Sequence, residues 1–163
     1  MSTPVIGAIK HGKNPAEAWA MLTDPDYVVG KGTAQGALSV EAEVEEFDDG
    51  GAVIVSRRSL PAEVPAFARA LVGQTIDLVE TQTWSAPDAS GGRSCELEVT
   101  FGSSPVTMSG TMRLEPNTVG CTVHLDALCT AKVPFIGGKV EALTRDQTLR
   151  AIETEEQFAQ TWP

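Results

Sequence analysis

The chain has 163 residues, of which 42% are hydrophobic and 21% charged, and its formal net charge is −10. That length predicts a single domain, residues 1–163, large enough to bury a sizeable core. The negative balance repels nucleic-acid phosphates and anionic headgroups, so neither is expected as a main partner.

Thr3–His11 reads as an opening strand. Asn14-Pro15-Ala16-Glu17 then has the chemistry of a helix start, with Asn14 as N-cap, Pro15 at the first helical position and Glu17 closing a capping box. The helix should turn Trp19 and Leu22 inward and end before Asp24-Pro25. Asp24 can cap a second, short helix containing Tyr27, which is predicted to run out in the glycine-rich stretch Gly30–Gly36.

Strands and turns follow. Leu38, Val40, Ala42 and Val44 alternate with Ser39, Glu41, Glu43 and Glu45, the pattern of a strand with one wet face. Asp48-Asp49-Gly50-Gly51 is a hairpin turn, and Ala52–Leu60 returns. Ala66–Val72 has helical spacing, with Pro65 before it and Gly73 as C-cap. Phe67 and Leu71 form its apolar stripe, so it is either a lid or a plain helix covering a sheet edge. Thr75–Trp84, Ser94–Phe101, Val106–Leu114 and Gly120–Val133 complete a meander, with a turn expected at Pro116-Asn117.

The last segment, Ala131–Trp162, organises the rest. After a Phe-Ile-Gly-Gly pivot, one long helix collects Val140, Leu143, Thr144, Gln147, Ala151, Thr154, Phe158 and Trp162 on one face. Both ends of that face are large and apolar, whereas its middle is small or polar. Lys139, Asp146, Arg150, Glu153 and Gln157 fall on the opposite, solvated side. Glu141 with Arg145, and Asp146 with Arg150, have the spacing of surface ion pairs worth a few tenths of a kcal/mol. A helix anchored at its ends and hollow in its middle predicts a space between it and the sheet.

Candidate chemistry is sparse. His11 and His124 are far apart and suggest no metal site, and His124 is expected on a solvated outer face. No serine lies in a Gly-x-Ser-x-Gly elbow, and the glycine-rich segments lack a phosphate-loop lysine pattern, so no catalytic residue and no cofactor are assigned. On Thr75–Trp84, the residues Ile76, Leu78, Glu80, Gln82 and Trp84 share a face. Were that face inward, Glu80 and Gln82 would form the polar end of an apolar pocket, with Arg58 as the partner a buried carboxylate needs. An outward face or a bulge with an ordinary surface pair is preferred, because Arg57 serves equally as the inward arginine. Trp84, Phe101, Met108 and Met112 are expected on inner faces as walls, with Thr144, Gln147 and Ala151 crossing from the helix.

Three cysteines, without CxxC spacing, read as small buried hydrophobes in a reducing compartment. Cys121 and Cys129 lie about 27 Å apart on one strand, at ~3.4 Å per residue, and cannot bridge. No apolar run approaches the ~18 residues of a membrane span, and Met1-Ser2-Thr3-Pro4-Val5 lacks the basic and apolar regions of a signal peptide. No membrane insertion and a cytoplasmic location are therefore expected.

The element order is that of an α+β domain, one strand, two helices, an antiparallel meander with a small inserted helix, and a long closing helix. It resembles the helix-grip fold of the START and polyketide-cyclase-like (SRPBCC) superfamily. Within it the chain is similar to a bacterial family known mainly as a domain of unknown function. Asn14–Tyr27 (NPAEAWAMLTDPDY), Arg58–Gly73 (RSLPAEVPAFARALVG), Thr81–Trp84 and Lys132–Glu141 (KVPFIGGKVE) carry the likeness. The resemblance implies a curved antiparallel sheet around the C-terminal helix and a cavity for a hydrophobic small-molecule ligand, lipid-like, polyketide-like or aromatic. Its alternatives are a cyclase or dehydratase using a cavity carboxylate, and a protein-interaction module whose cavity is filled by its own side chains.

Overall fold

The computed structural model describes residues 1–163. Capping chemistry starts the first helices where the sequence places it. Asn14 Oδ1 accepts the Glu17 N–H at 2.9 Å while Glu17 Oε1 accepts the Asn14 N–H at 3.1 Å, and this closed box opens α1 (Pro15–Leu22). Asp24 accepts the Asp26 N–H at 2.9 Å and opens α2 (Pro25–Ala34). As expected, α2 runs out within the stretch Gly30–Gly36, at Ala34, but Gly30 and Gly32 lie inside the helix. Packing is the reason: a Cβ on Gly30 would stand 2.6 Å from Phe158 Cζ, and one on Gly32 would stand 2.8 Å from Val40 Cγ2. These glycines let neighbours approach a helix rather than end it.

Seven strands form one antiparallel sheet: β1 (Thr3–His11), β2 (Ser39–Glu46), β3 (Ala52–Pro61), β4 (Thr75–Trp84), β5 (Arg93–Phe101), β6 (Val106–Asn117) and β7 (Gly120–Ala131). Their order is β1-β7-β6-β5-β4-β3-β2, so every neighbour but β1–β7 is joined by a consecutive connection. Period-two alternation sets the faces. Cys95, Leu97 and Val99 are buried while Glu96 and Glu98 are exposed, and Val123, Leu125, Ala127 and Cys129 line the same inner face of β7. His124 points outward and pairs with Glu115 at 3.4 Å. The three cysteines are free and buried.

Three boundaries differ from the sequence expectation. β6 continues through Pro116 to Asn117, so the turn falls at residues 118–119. The segment expected as a helix to Val72 is only a single turn, α3 (Ala66–Arg69), after which Leu71 and Val72 donate to Ala68 and Arg69 three residues back. Only Ala68 of α3 is buried, too small an apolar face to hold a longer helix. β7 stops at Ala131, and Phe135 in the following pivot is fully exposed with a left-handed φ of 67°, a conformation rare for an aromatic residue.

The closing helix α4 (Gly137–Thr161) packs on β1, β7 and α2. Its buried face is rotated from the expected one, because Val140, Glu141, Glu155 and Ala159 are its buried residues. Glu141 is 1% exposed and accepts the Thr3 hydroxyl at 2.8 Å and the Ala131 N–H at 2.9 Å. It therefore tethers the start of α4 to the sheet and forms no surface pair with Arg145. The other expected pair is also absent, since Arg145 takes Asp146 at 3.1 Å and leaves Arg150 exposed.

Candidate functional site

A cleft of about 400 Å³ lies between the sheet and the middle of α4. Strand alternation builds its apolar wall from Leu78, Leu97, Val99, Phe101, Met108, Met112 and Leu125, and α4 contributes Thr144, Thr148, Ala151 and Ile152. The hydroxyls of Thr144 and Thr148 donate to the carbonyls of Val140 and Thr144 in their own helix, at 2.9 and 2.8 Å. These threonines satisfy themselves and act as small spacers. Gln35 Nε2 donates to the Ala151 carbonyl at 2.8 Å, fixing α2 against the helix where it borders the cleft.

The face of β4 resolves inward, contrary to the preferred expectation. Leu78, Glu80 and Gln82 line the cleft, and the register pairs Ser56 of β3 with Glu80. The inward arginine is Arg58, whose Nη2 donates to Glu80 Oε1 at 3.3 Å. Arg57 points out and meets Glu43 at 3.7 Å. Gln82 Nε2 donates to Glu80 Oε2, and Trp84 Nε1 donates to Gln82 Oε1 at 2.9 Å. Trp84 is itself no wall of the cleft: it is buried in the core edge-on to Trp19, ring centroids 5.8 Å apart. Its role is to orient the Gln82 amide. Gln147 is exposed and borders the rim rather than crossing the interior. Of the residues singled out from sequence, Arg58, Glu80, Gln82, Phe101, Met108, Met112, Thr144, Gln147 and Ala151 border one space, and Trp84 stands behind it.

Burial works to raise the Glu80 pKa, but the nearby Arg58 and Lys31 cations and the Gln82 hydrogen bond outweigh it and hold the carboxyl below its ordinary range. Glu80 is therefore ionised at neutral pH. Beside it, burial with a contribution from Glu80 pushes the Cys95 thiol up to about 12, so it is no nucleophile.

Sequence reasoning missed a second polar group. Glu155, on α4, lines the cleft; its Oε2 accepts the Tyr27 hydroxyl at 3.1 Å and the Lys31 ammonium at 3.3 Å. Tyr27 and Lys31 stand one helical turn apart on α2, and that i, i+4 spacing was the available signal. Desolvation and the Glu155 charge together raise the Tyr27 pKa, keeping the phenol protonated. His11, also buried, has its pKa lowered by desolvation and is neutral at pH 7. No cluster of His, Cys, Asp and Glu is arranged to hold a metal ion.

Comparison with known proteins places this geometry in a family. Residues 12–162 match the family described as "Protein of unknown function (DUF2505)", and the chain belongs to it. The uncharacterized protein Rv0481c of Mycobacterium tuberculosis (strain ATCC 25618 / H37Rv) is 24% identical over 127 residues, 76% of this chain and 72% of that protein. Among solved structures, TTHA0849 from Thermus thermophilus is similar with a TM-score of 0.60 at 14% identity, covering 98% of this chain and 97% of its own. The STAR-related lipid transfer protein from Xanthomonas axonopodis is similar with a TM-score of 0.57 at 16% identity, over 93% and 84%. The architecture is thus the helix-grip fold. No helix is long and apolar enough to cross a membrane.

Proposed function

We propose that this protein binds an apolar or amphipathic small molecule in the cleft between the sheet and α4. The observation that carries the reading is the cleft itself, about 400 Å³ with an apolar wall and an ion-paired polar end at Arg58 and Glu80. That volume falls within the range of small-molecule sites, roughly 300–1,000 Å³. An unfilled space of this kind forfeits the dispersion contacts that a close-packed core would make, so a guest of matching shape gains them. The likeness to a STAR-related lipid transfer protein supports the same reading by analogy of fold.

A cyclase or dehydratase using a cleft carboxylate as proton donor fits less well. Such a donor needs a raised pKa, whereas Arg58 and Lys31 hold Glu80 ionised against the opposing effect of burial. Three unpaired cysteines support a reducing compartment such as the cytoplasm.

Native mass spectrometry of freshly purified protein, followed by denaturing extraction, tests the proposal. A reproducible adduct of a hydrophobic molecule is the expected result. A bare polypeptide mass, together with no uptake of a neutral apolar fluorophore, would overturn it in favour of a protein-interaction module. Ala151→Trp should abolish uptake by filling the cleft at little cost in stability, where overpacking a tight core costs about 1–3 kcal/mol.

A further inference from the structure

Four charges lie buried or half-buried in and beside the cleft, and they cancel. Arg58 on β3 pairs with Glu80 on β4, the arginine side chain being 9% exposed. Lys31 on α2 pairs with Glu155 on α4 at 3.3 Å, both side chains nearly buried. At the mouth, exposed Glu63 and Arg150 add one charge of each sign.

The hydrogen bonds are less complete than the charges. A guanidinium carries five N–H donors, and Arg58 gives one to Glu80 while the others meet no acceptor in the chain. Glu155 receives both of its donors on Oε2, and its Oε1 accepts none. By contrast, both oxygens of Glu80 are engaged, by Arg58 and by Gln82. Free donors therefore stand on the sheet side of the cleft and a free acceptor on the helix side.

We infer that the ligand is uncharged: an apolar body bearing at least one hydroxyl, with Arg58 donating to its oxygen and Glu155 accepting its O–H. This narrows the binding reading above and rests on it. A carboxylate or ammonium head would enter an interior that is already neutral and leave one charge out of water without a counter-ion, a costly state. A hydroxyl brings a donor and an acceptor and no net charge.

Three probes with one tail and different heads test this: 1-decanol, decanoate and decylammonium. Each competes at pH 7 against the neutral fluorophore N-phenyl-1-naphthylamine bound to the protein. Decanol should displace the fluorophore at a concentration at least about tenfold lower than either ion. Displacement by either ion as readily as by decanol overturns the inference and leaves the binding reading standing. Failure to take up the fluorophore or any of the three overturns both. Glu80→Gln, which leaves Arg58 unpaired, should shift the preference toward decanoate by about tenfold or more relative to decanol. Glu155→Gln frees Lys31 and should shift it the same way, giving an independent readout if the first variant does not fold. An unchanged preference in the folded variants overturns the charge-balance argument.

Discussion

Two hydrophobic clusters divide the interior. Around α1 and α2, Tyr27, Trp84 and Leu114 are among the buried residues, and Trp19, Phe158 and Trp162 pack against them. Tyr27, Phe158 and Trp162 meet one another with ring centroids 5.4–5.8 Å apart. Under the first half of α4 the cluster is Leu78, Leu97, Val99, Met108, Leu125 and their neighbours, and several of these face the cleft instead of another side chain. The difference is one of shape as well as polarity. Large rings close the first region, whereas aliphatic strand residues opposite Thr144, Thr148 and Ala151 do not reach across the second. One half of the interior supplies stability, and the other half retains space.

The largest effect is expected where a buried charge pair joins the two regions, at Lys31 and Glu155. Lys31→Met leaves the Glu155 carboxylate buried without its cation and should destabilise the fold by about 3–5 kcal/mol in urea denaturation. A loss under about 1 kcal/mol, the scale of an exposed pair, would mean that water in the cleft already solvates Glu155 and that the pair is not buried.

Paired truncations sharpen the comparison directly. Leu114 is 0% exposed within the aromatic cluster, and Leu114→Ala should cost about 2–5 kcal/mol. Met108→Ala on the cleft wall should cost less, because one side of that residue already lacks partner atoms. Equal losses from the two substitutions would sink the distinction between a filled and an open half.

The smallest effect is a pH dependence. Desolvation holds the folded pKa of His11 below its ordinary 6.5, although Glu155 and Glu156 oppose that shift. As pH falls, the unfolded chain therefore takes up its proton first. The stability that His11 contributes is complete above about 6.5 and declines as pH drops through 6.5 toward the folded value. The urea midpoint should fall over that window, and His11→Gln should flatten the slope there. An identical slope in the variant would place the titration elsewhere.

Much of this was legible in the chain because local chemistry acts over short spans. The Asn14–Glu17 box and the two-residue alternation of Cys95, Leu97 and Val99 need only neighbouring residues to be read, and both stand as expected. The inward direction of Glu80 was not readable in the same way. Arg57 and Arg58 offer identical chemistry one residue apart, and only the pairing of β3 with β4 decides which of them shares a face with Glu80. Trp84 was misassigned to the wall for a related reason: its strand face was right, but α1 brings Trp19 to cover it.

The sequence by itself determined the element order, the two-residue alternation of the strands, and a closing helix with a small-residue middle. Those follow from periodicity and capping, which are properties of a few consecutive residues. The tertiary structure alone decided which acids go inside. Glu141 and Glu155 look like any solvated helix carboxylates until Thr3 and Ala131 reach the one and Tyr27 and Lys31 the other. A carboxylate can be buried only when partners replace its water, and these partners arrive from strands and helices more than a hundred residues away in three of the four contacts.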